Sequence, residues 1–424
     1  MKISTKFRKI KDDFNIEPTR LSKRLNEMEP AAVLRQLPIT WARAEDFTVY
    51  DDKGNQWIDM TSGIFVANAG HSNPSIKKAI QDQLDKDLLF AYNYPTDIRN
   101  KFLNKMLDIS PKSFDKVILL NSGSEAVDIA YKLIKQWSRK NNRKYIITFT
   151  GSYHGRGLSN DLICGRKNKA AWSGVEDKDV VFIDFPYDES TSFPEDKMPP
   201  SDEIAAFVLE TFQGWGAWFY PPGYLESLVK FARRSGALVC FDDLQGGFYR
   251  LGTLYGYQSY GLDFDPDILC LGKGLSSSLP ISAVLSRADI TEIDTYADLH
   301  GTHSGNPLCC AAALANLEFL SDMEFQAEFK KRCRIFKDGI KNLSRHKSIR
   351  SINVRGMIAG IITSDEEAAT SIVFNAIKRG VLTVWTQRNS VKIAPPLTIT
   401  EDAIAEAIAV LDESVSESEK FSRK

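Results

Sequence analysis

Three short stretches of this 424-residue chain carry residue types whose chemistry exceeds what packing asks for. Gly272-Lys273-Gly274 follows the apolar run Ile268–Leu271. A partly buried lysine has a depressed pKa and can act as an amine nucleophile, the Schiff-base use of this side chain. Asp242 and Asp243 follow the run Ala237–Phe241. Two carboxylates at the mouth of a hydrophobic strand are costly unless something there is cationic. Asn121-Ser122-Gly123-Ser124-Glu125 follows Val117–Leu120 and opens a stretch, Ala126 to Trp137, with one apolar face. Ser122 and Glu125 have capping-box spacing. Small residues at a helix N-terminus leave backbone N–H groups free at the positive end of the dipole, which suits a phosphate.

Singly, each stretch has an ordinary explanation: a capped helix, acids capping a turn, a solvated loop lysine. Together they supply an anchor for phosphate, a partner for a pyridinium nitrogen and an acceptor for an aldehyde. Those are the parts that hold pyridoxal phosphate. Nucleotide chemistry loses ground, because the chain has no G-x-G-x-x-G fingerprint and Asp267 stands where a Walker loop ahead of Lys273 would begin with Gly.

Positioning these stretches requires a sheet. Apolar runs recur at Val117–Leu120, Tyr145–Phe149, Val180–Ile183, Ala206–Leu209, Ala237–Phe241, Ile268–Leu271 and Ile281–Leu285, and amphipathic segments separate many of them. The pattern predicts an α/β domain with a mostly parallel sheet covered on both faces, whose ligands sit at the carboxyl ends of the strands. Ahead of it, Thr48–Met60 alternates as a hairpin turning at Lys53-Gly54-Asn55, and residues 1–40 read as a charged arm wrapping a surface. After Asn306 a helical pattern dominates until a shorter αβ unit begins near Ile352, and the polar stretch Ser414–Lys424 reads as a frayed tail.

Composition bounds the rest. The chain is 43% hydrophobic, and its 54 basic and 55 acidic residues nearly cancel, which argues against nucleic acid or an anionic membrane as the main partner. No stretch approaches a membrane helix, and the charged start is unlike a secretory leader. Six cysteines without metal-ligand spacing read as reduced core residues of a cytoplasmic protein. His300 and His303 have a spacing that metals use, but no further ligand accompanies them, so no metal is expected.

From Trp41 to Pro396 the chain resembles the class III (ω-amino acid type) pyridoxal-phosphate-dependent aminotransferases of fold type I. The resemblance rests on Ser-Gly-Ser-Glu-Ala at 122–126, Tyr-His-Gly-Arg at 153–156, Phe-Asp-Asp-Leu-Gln-Gly-Gly-Phe at 241–248, Pro-Asp-Ile-Leu-Cys-Leu-Gly-Lys-Gly-Leu at 266–275 and Gly-Thr-His-Ser-Gly-Asn-Pro-Leu at 301–308. It implies an arm and part of a small domain over residues 1–69, a large cofactor-binding domain over 70–310, and the remainder of the small α/β domain over 311–424. It further implies that Lys273 forms the Schiff base, Asp242 pairs with the pyridinium nitrogen and Gln245 bonds the ring hydroxyl. Tyr153 would stack on one ring face and Leu244, where the family usually has Val, on the other. Ser122, Gly123, Ser124 and His154 would complete the cofactor site. Thr302 would come from the partner subunit of an obligate homodimer. The reaction implied is ping-pong transfer of an amino group from a donor to an aldehyde or ketone, through pyridoxamine phosphate.

Two positions depart from the family. Trp215 stands where glutamate-using members place a gate Glu, and Lys392 stands in place of the arginine that this Glu neutralises. A Trp beside a Lys offers a cation–π contact and no gating charge, and Lys clamps a carboxylate less well than Arg. Either the donor carboxylate is held elsewhere, by Arg156 or Arg388, or the acceptor is not an acid but a sugar, polyol or ω-oxo compound. Phe212, Trp215, Trp218, Phe219 and Tyr220 would then floor the pocket or pack at a dimer interface, and Arg156 would bind substrate or form a structural salt bridge. Ile64 and Phe65 would line the substrate mouth, with Glu210 and Asp243 standing behind the site. An aminomutase, decarboxylase or racemase on the same fold remains the alternative.

Overall fold

In the computed structural model, which describes residues 2–17, 20–33, 37, 39–166 and 169–421, the chain falls into two compact units. One comprises residues 74–214 and 218–320 and holds a seven-stranded sheet. Its spatial order is Lys116–Leu120, Ser282–Ser286, Ile268–Leu271, Leu238–Asp242, Ile204–Glu210, Tyr145–Phe149, Val180–Ile183. All neighbours pair in parallel except Ser282–Ser286, which runs antiparallel to both of its partners. The reason is length. About ten residues separate it from Ile268–Leu271, too few for the crossover that a parallel return needs.

The four inner strands from Ser282–Ser286 to Ile204–Glu210 are buried at every residue, as expected where helices cover both faces. The outermost strand is different: Phe182 is exposed. The helix Gly123–Lys140 lays Ala126, Val127, Ile129, Ala130, Leu133 and Ile134 into the core against Ala206, Val208, Cys240, Cys270 and Val284. Its capping box is formed: Ser122 Oγ accepts the Glu125 N–H at 3.3 Å, and Glu125 Oε2 accepts the Ser122 N–H at 2.6 Å. These bonds decide where the helix starts, and so where its open N–H groups lie.

The other unit comprises residues 1–73, 215–217 and 321–424. It has an antiparallel four-stranded sheet in the order Ile349–Arg355, Ile358–Thr363, Ser390–Ile393, Val384–Trp385, with helices Glu366–Lys378 and Glu401–Phe421 packed together. A second sheet contains the expected hairpin, Thr48–Tyr50 against Gln56–Asp59. The first ten residues do not behave as a plain arm. Ile3–Ser4 and Lys9–Ile10 form a small hairpin that joins this sheet, with Phe7 and Ile10 buried. The frayed tail is also corrected. The last helix runs to Phe421 with Ser414 and Ser418 buried, because it packs against Glu366–Lys378, where Ser418 Oγ donates to the Ala368 carbonyl at 3.5 Å and Ser414 Oγ is satisfied by the Val410 carbonyl at 2.7 Å. Residues 422–424 lie outside the described residues.

Candidate active site

The carboxyl ends of three adjacent parallel strands bring the expected groups together. Asp242 and Glu210 end neighbouring strands and are partners in register, and Lys273 lies two residues beyond the third. His154, on the loop after Tyr145–Phe149, places Nδ1 2.9 Å from Asp242 Oδ2, with both side chains buried. Asp242 Oδ1 accepts the Leu244 N–H at 3.3 Å. Burial works against protonating His154, but its hydrogen bond to Asp242 and the charges of Asp242 and Glu210 leave its pKa raised. Burial likewise lowers the Lys273 pKa, while Asp242 and Glu210 pull it back.

Lys273 has a φ of 44°, a left-handed conformation that costs free energy in any residue with a Cβ. Such strain persists only where surrounding contacts enforce it. Asn316 supplies them. From the helix Pro307–Leu320 its Nδ2 donates to the carbonyls of Gly274 at 2.9 Å and Leu275 at 2.8 Å, and its Oδ1 accepts from Ser277 Oγ at 2.7 Å. Sequence reasoning missed this residue. The available signal was an Asn within the apolar stretch Leu308–Leu317 of this helix.

Leu244 lies between the phosphate cradle and the lysine turn. A Cβ on Gly123 would fall 2.7 Å from its Cδ1, and one on Gly272 2.7 Å from its Cδ2. The two glycines therefore make room for a side chain larger than Val. Gln245 packs its amide against Gly214, where a Cβ would come within 2.5 Å of Nε2. Tyr153 is tethered at both ends: its N–H donates to Glu210 Oε2 at 3.1 Å, and its hydroxyl accepts from Arg156 Nε at 3.1 Å. Arg156 is exposed, and among the described residues it forms no salt bridge. Asp243 is fully buried, accepting from the Thr211 hydroxyl and from the Gly256 N–H at 2.7 Å, and burial pushes its carboxyl up to about 7.

A profile of the class III aminotransferases matches residues 31–415. The chain belongs to that family. An acetylornithine aminotransferase of Caldanaerobacter subterraneus is 32% identical over 386 residues, which is 90% of this chain and 95% of the relative. The isoleucine 2-epimerase of Lentilactobacillus buchneri is 29% identical, with 88% of each chain covered. The ornithine aminotransferase structure from Toxoplasma gondii superposes with a TM-score of 0.85 at 25% identity, covering 96% of this chain and 97% of that one. The fold is that of the fold type I pyridoxal-phosphate enzymes.

The residues of the aminotransferase fit its cofactor. The first-turn N–H groups at Gly123 and Ser124 have no acceptor within their helix, and no Cβ stands at Gly123 to obstruct them. A buried carboxylate and an amine of lowered pKa complete the donor set. Thr302 is exposed on the turn before Pro307. His300 and His303, beside it on the chain, meet the rings of Tyr92 and Phe90, so both histidines have aromatic partners.

The departures at Trp215 and Lys392 take an unexpected form. Within the smaller unit of the aminotransferase, Lys392 Nζ sits 4.2 Å from the ring centroid of Phe65, and Arg388 lies over the Trp215 ring at 5.3 Å. Trp215 is held through its carbonyl, which accepts from Ser390 Oγ at 3.0 Å. Phe65 and Ile64 belong to a turn, Ser62–Phe65, in which all four residues have positive φ. Of the aromatic run, Phe212 and Tyr220 are buried. Tyr220 packs among Phe149, Phe185, Tyr224 and Tyr260, so it serves the interior and not a pocket floor.

Proposed function

We propose that this aminotransferase moves the distal amino group of an ornithine-type diamino acid to a carbonyl acceptor, releasing an ω-aldehyde. The observation that carries the chemistry is the convergence of Lys273, Asp242 and His154 at the strand ends. The relatives named for ornithine and acetylornithine support the substrate class. When bound, pyridoxal phosphate supplies the aldehyde that captures an amine and the ring that withdraws electrons from it. The chain's own residues do the rest. Lys273 would hold the cofactor at Nζ, and its amine, lowered in pKa by burial, would accept and return a proton there. Asp242, fixed by His154 and the Leu244 N–H, would face the ring nitrogen. Tyr153 and Leu244 would confine the ring, Gln245 would orient its hydroxyl, and Ser122, Gly123 and Ser124 would hold the phosphate.

Arg388 and Lys392, cations resting on aromatic rings, are the groups we assign to the donor carboxylate, with Ile64, Phe65, Trp215 and Arg156 contacting substrate. The protein works as a cytoplasmic homodimer in which Thr302 completes the phosphate site of the partner. Supporting the dimer, Leu88, Leu89, Phe90, Tyr92 and Tyr94 form an exposed apolar segment that contacts His300 and His303. The six free cysteines fit a reducing compartment.

The deciding experiment is the visible spectrum of the holoenzyme with a panel of amines: ornithine, N-acetylornithine, glutamate, alanine, 4-aminobutyrate and amino sugars. Bleaching by ornithine-type donors with release of an aldehyde supports the reading. Bleaching only by amino sugars moves the substrate to carbohydrate. The isoleucine 2-epimerase relative favours one second reading, racemisation. Interconversion of L- and D-amino acids without bleaching or an acceptor would establish it.

A further inference from the structure

The ionisable groups at the strand ends extend beyond Asp242 and Lys273. Glu210 is 6% exposed, and its two oxygens face two donors: Oε2 accepts the Tyr153 N–H at 3.1 Å and Oε1 the Gly214 N–H at 3.2 Å. Both side-chain atoms must therefore be acceptors. A carboxylate meets that demand, whereas a carboxamide turns an NH2 toward one N–H. The backbones it joins are those that place the Tyr153 ring and, through Gly214, the Gln245 amide. A Cβ on Gly214 would fall 2.9 Å from Glu210 Oε1 and 2.5 Å from Gln245 Nε2, so the three are packed together.

The charges around Glu210 come from the same cluster. The groups whose charges act on Glu210, or on which it acts, are His154, Cys164, Asp242, Lys273 and Tyr220, and Tyr220 Oη donates to the Glu210 carbonyl at 3.1 Å. Only His154 and Lys273 among them can be cationic. Two carboxylates thus face two bases in one buried cluster, where an unbalanced charge is expensive. Burial pushes the Glu210 carboxyl up to about 7, against the pull of His154 and the two N–H bonds.

We propose that Glu210 is a positioning residue of the cofactor site, clamping the Tyr153 and Gly214 backbones and supplying the second negative charge against His154 and Lys273. The proposal rests on the pyridoxal-phosphate reading. Its test compares wild type, Glu210→Gln and Glu210→Asp, each checked for folding by circular dichroism. Two quantities are measured: the affinity of the apoprotein for pyridoxal phosphate, and the pH midpoint of the bound cofactor's visible band.

For Glu210→Gln we expect about tenfold weaker binding and a midpoint lowered by about one pH unit, because an anion beside a basic nitrogen has been removed. Glu210→Asp keeps the charge but shortens the reach, so its midpoint stays near wild type while its affinity falls. Wild-type affinity and midpoint in Glu210→Gln would overturn the proposal. If Glu210→Gln does not fold, wild-type affinity in Glu210→Asp overturns the clamp. A wild-type protein that acquires no visible band overturns the cofactor reading itself, and does so without any substitution.

Discussion

Asn316 Nδ2 donates to the Gly274 carbonyl at 2.9 Å, so a residue 43 positions along the chain from Lys273 closes the turn that presents this lysine. The same amide group also binds Leu275 and Ser277. Replacing Asn316 with Leu takes its donor away from two carbonyls, a cost of about 2–4 kcal/mol. The left-handed Lys273 loses its enforcement as well. We expect Asn316→Leu to unfold at lower denaturant and to take up pyridoxal phosphate covalently more slowly, with stopped-flow absorbance as the measure. Uptake at the wild-type rate would show that the turn holds itself.

Lys273→Ala should retain the cradle and Asp242, bind pyridoxal phosphate without a covalent link, and lose at least about 10³-fold in amino transfer. Borohydride reduction followed by mass spectrometry distinguishes the two proteins. The wild-type peptide containing Lys273 gains the cofactor mass, and the variant gains none. Full turnover by the variant would sink the lysine assignment.

The buried Asp243 makes stability pH-dependent. Its carboxyl is pushed from 3.8 to about 7 by burial, more than the bonds from Thr211 and Gly256 offset. Between these values the folded protein keeps a proton that the unfolded chain has released, so this group lowers stability as pH rises, and the full penalty is present above about 7. Glu210, raised to about 7, acts with the same sign. Relative to Asp243→Asn, wild type should lose about 2–3 kcal/mol of unfolding free energy between pH 5 and pH 8. Urea titrations at both values check this; parallel pH dependence in the two proteins would refute it.

Gly360 admits no side chain, because a Cβ there would lie 1.9 Å from the Gly216 carbonyl oxygen. Gly360→Ala must push the 215–217 segment away from its sheet, disturbing the Ser390–Trp215 bond and the Arg388 contact. We expect a changed tryptophan emission and an altered KM for acidic donors, with cofactor affinity retained. Unchanged KM across acidic and neutral donors would remove Trp215 and Arg388 from substrate recognition.

Much of the fold was legible along the chain. Buried parallel strands need continuous apolar runs, and the seven runs between Val117 and Leu285 are the seven strands of the sheet. The capping box at Ser122 and Glu125 was equally readable, since both partners lie within one helical turn. The lysine, the strand-end acids and the helix start are each local features, and local spacing sufficed to name the cofactor chemistry.

What local spacing could not decide were pairings between distant segments. That His154 binds Asp242, that Asn316 holds the Lys273 turn, and that Leu244 fills the space left by Gly123 and Gly272 all depend on how strands and helices stack. The same holds for the cations: Trp215 and Lys392 change together in the sequence, yet Arg388 covers Trp215 and Lys392 covers Phe65. The polar end of Glu401–Phe421 read as frayed because its burial comes from the packed helix Glu366–Lys378, not from its own composition. A side chain's type is written in the sequence. Its partner, and with it its charge state, is settled by tertiary packing, because burial and hydrogen-bond geometry are properties of the surroundings.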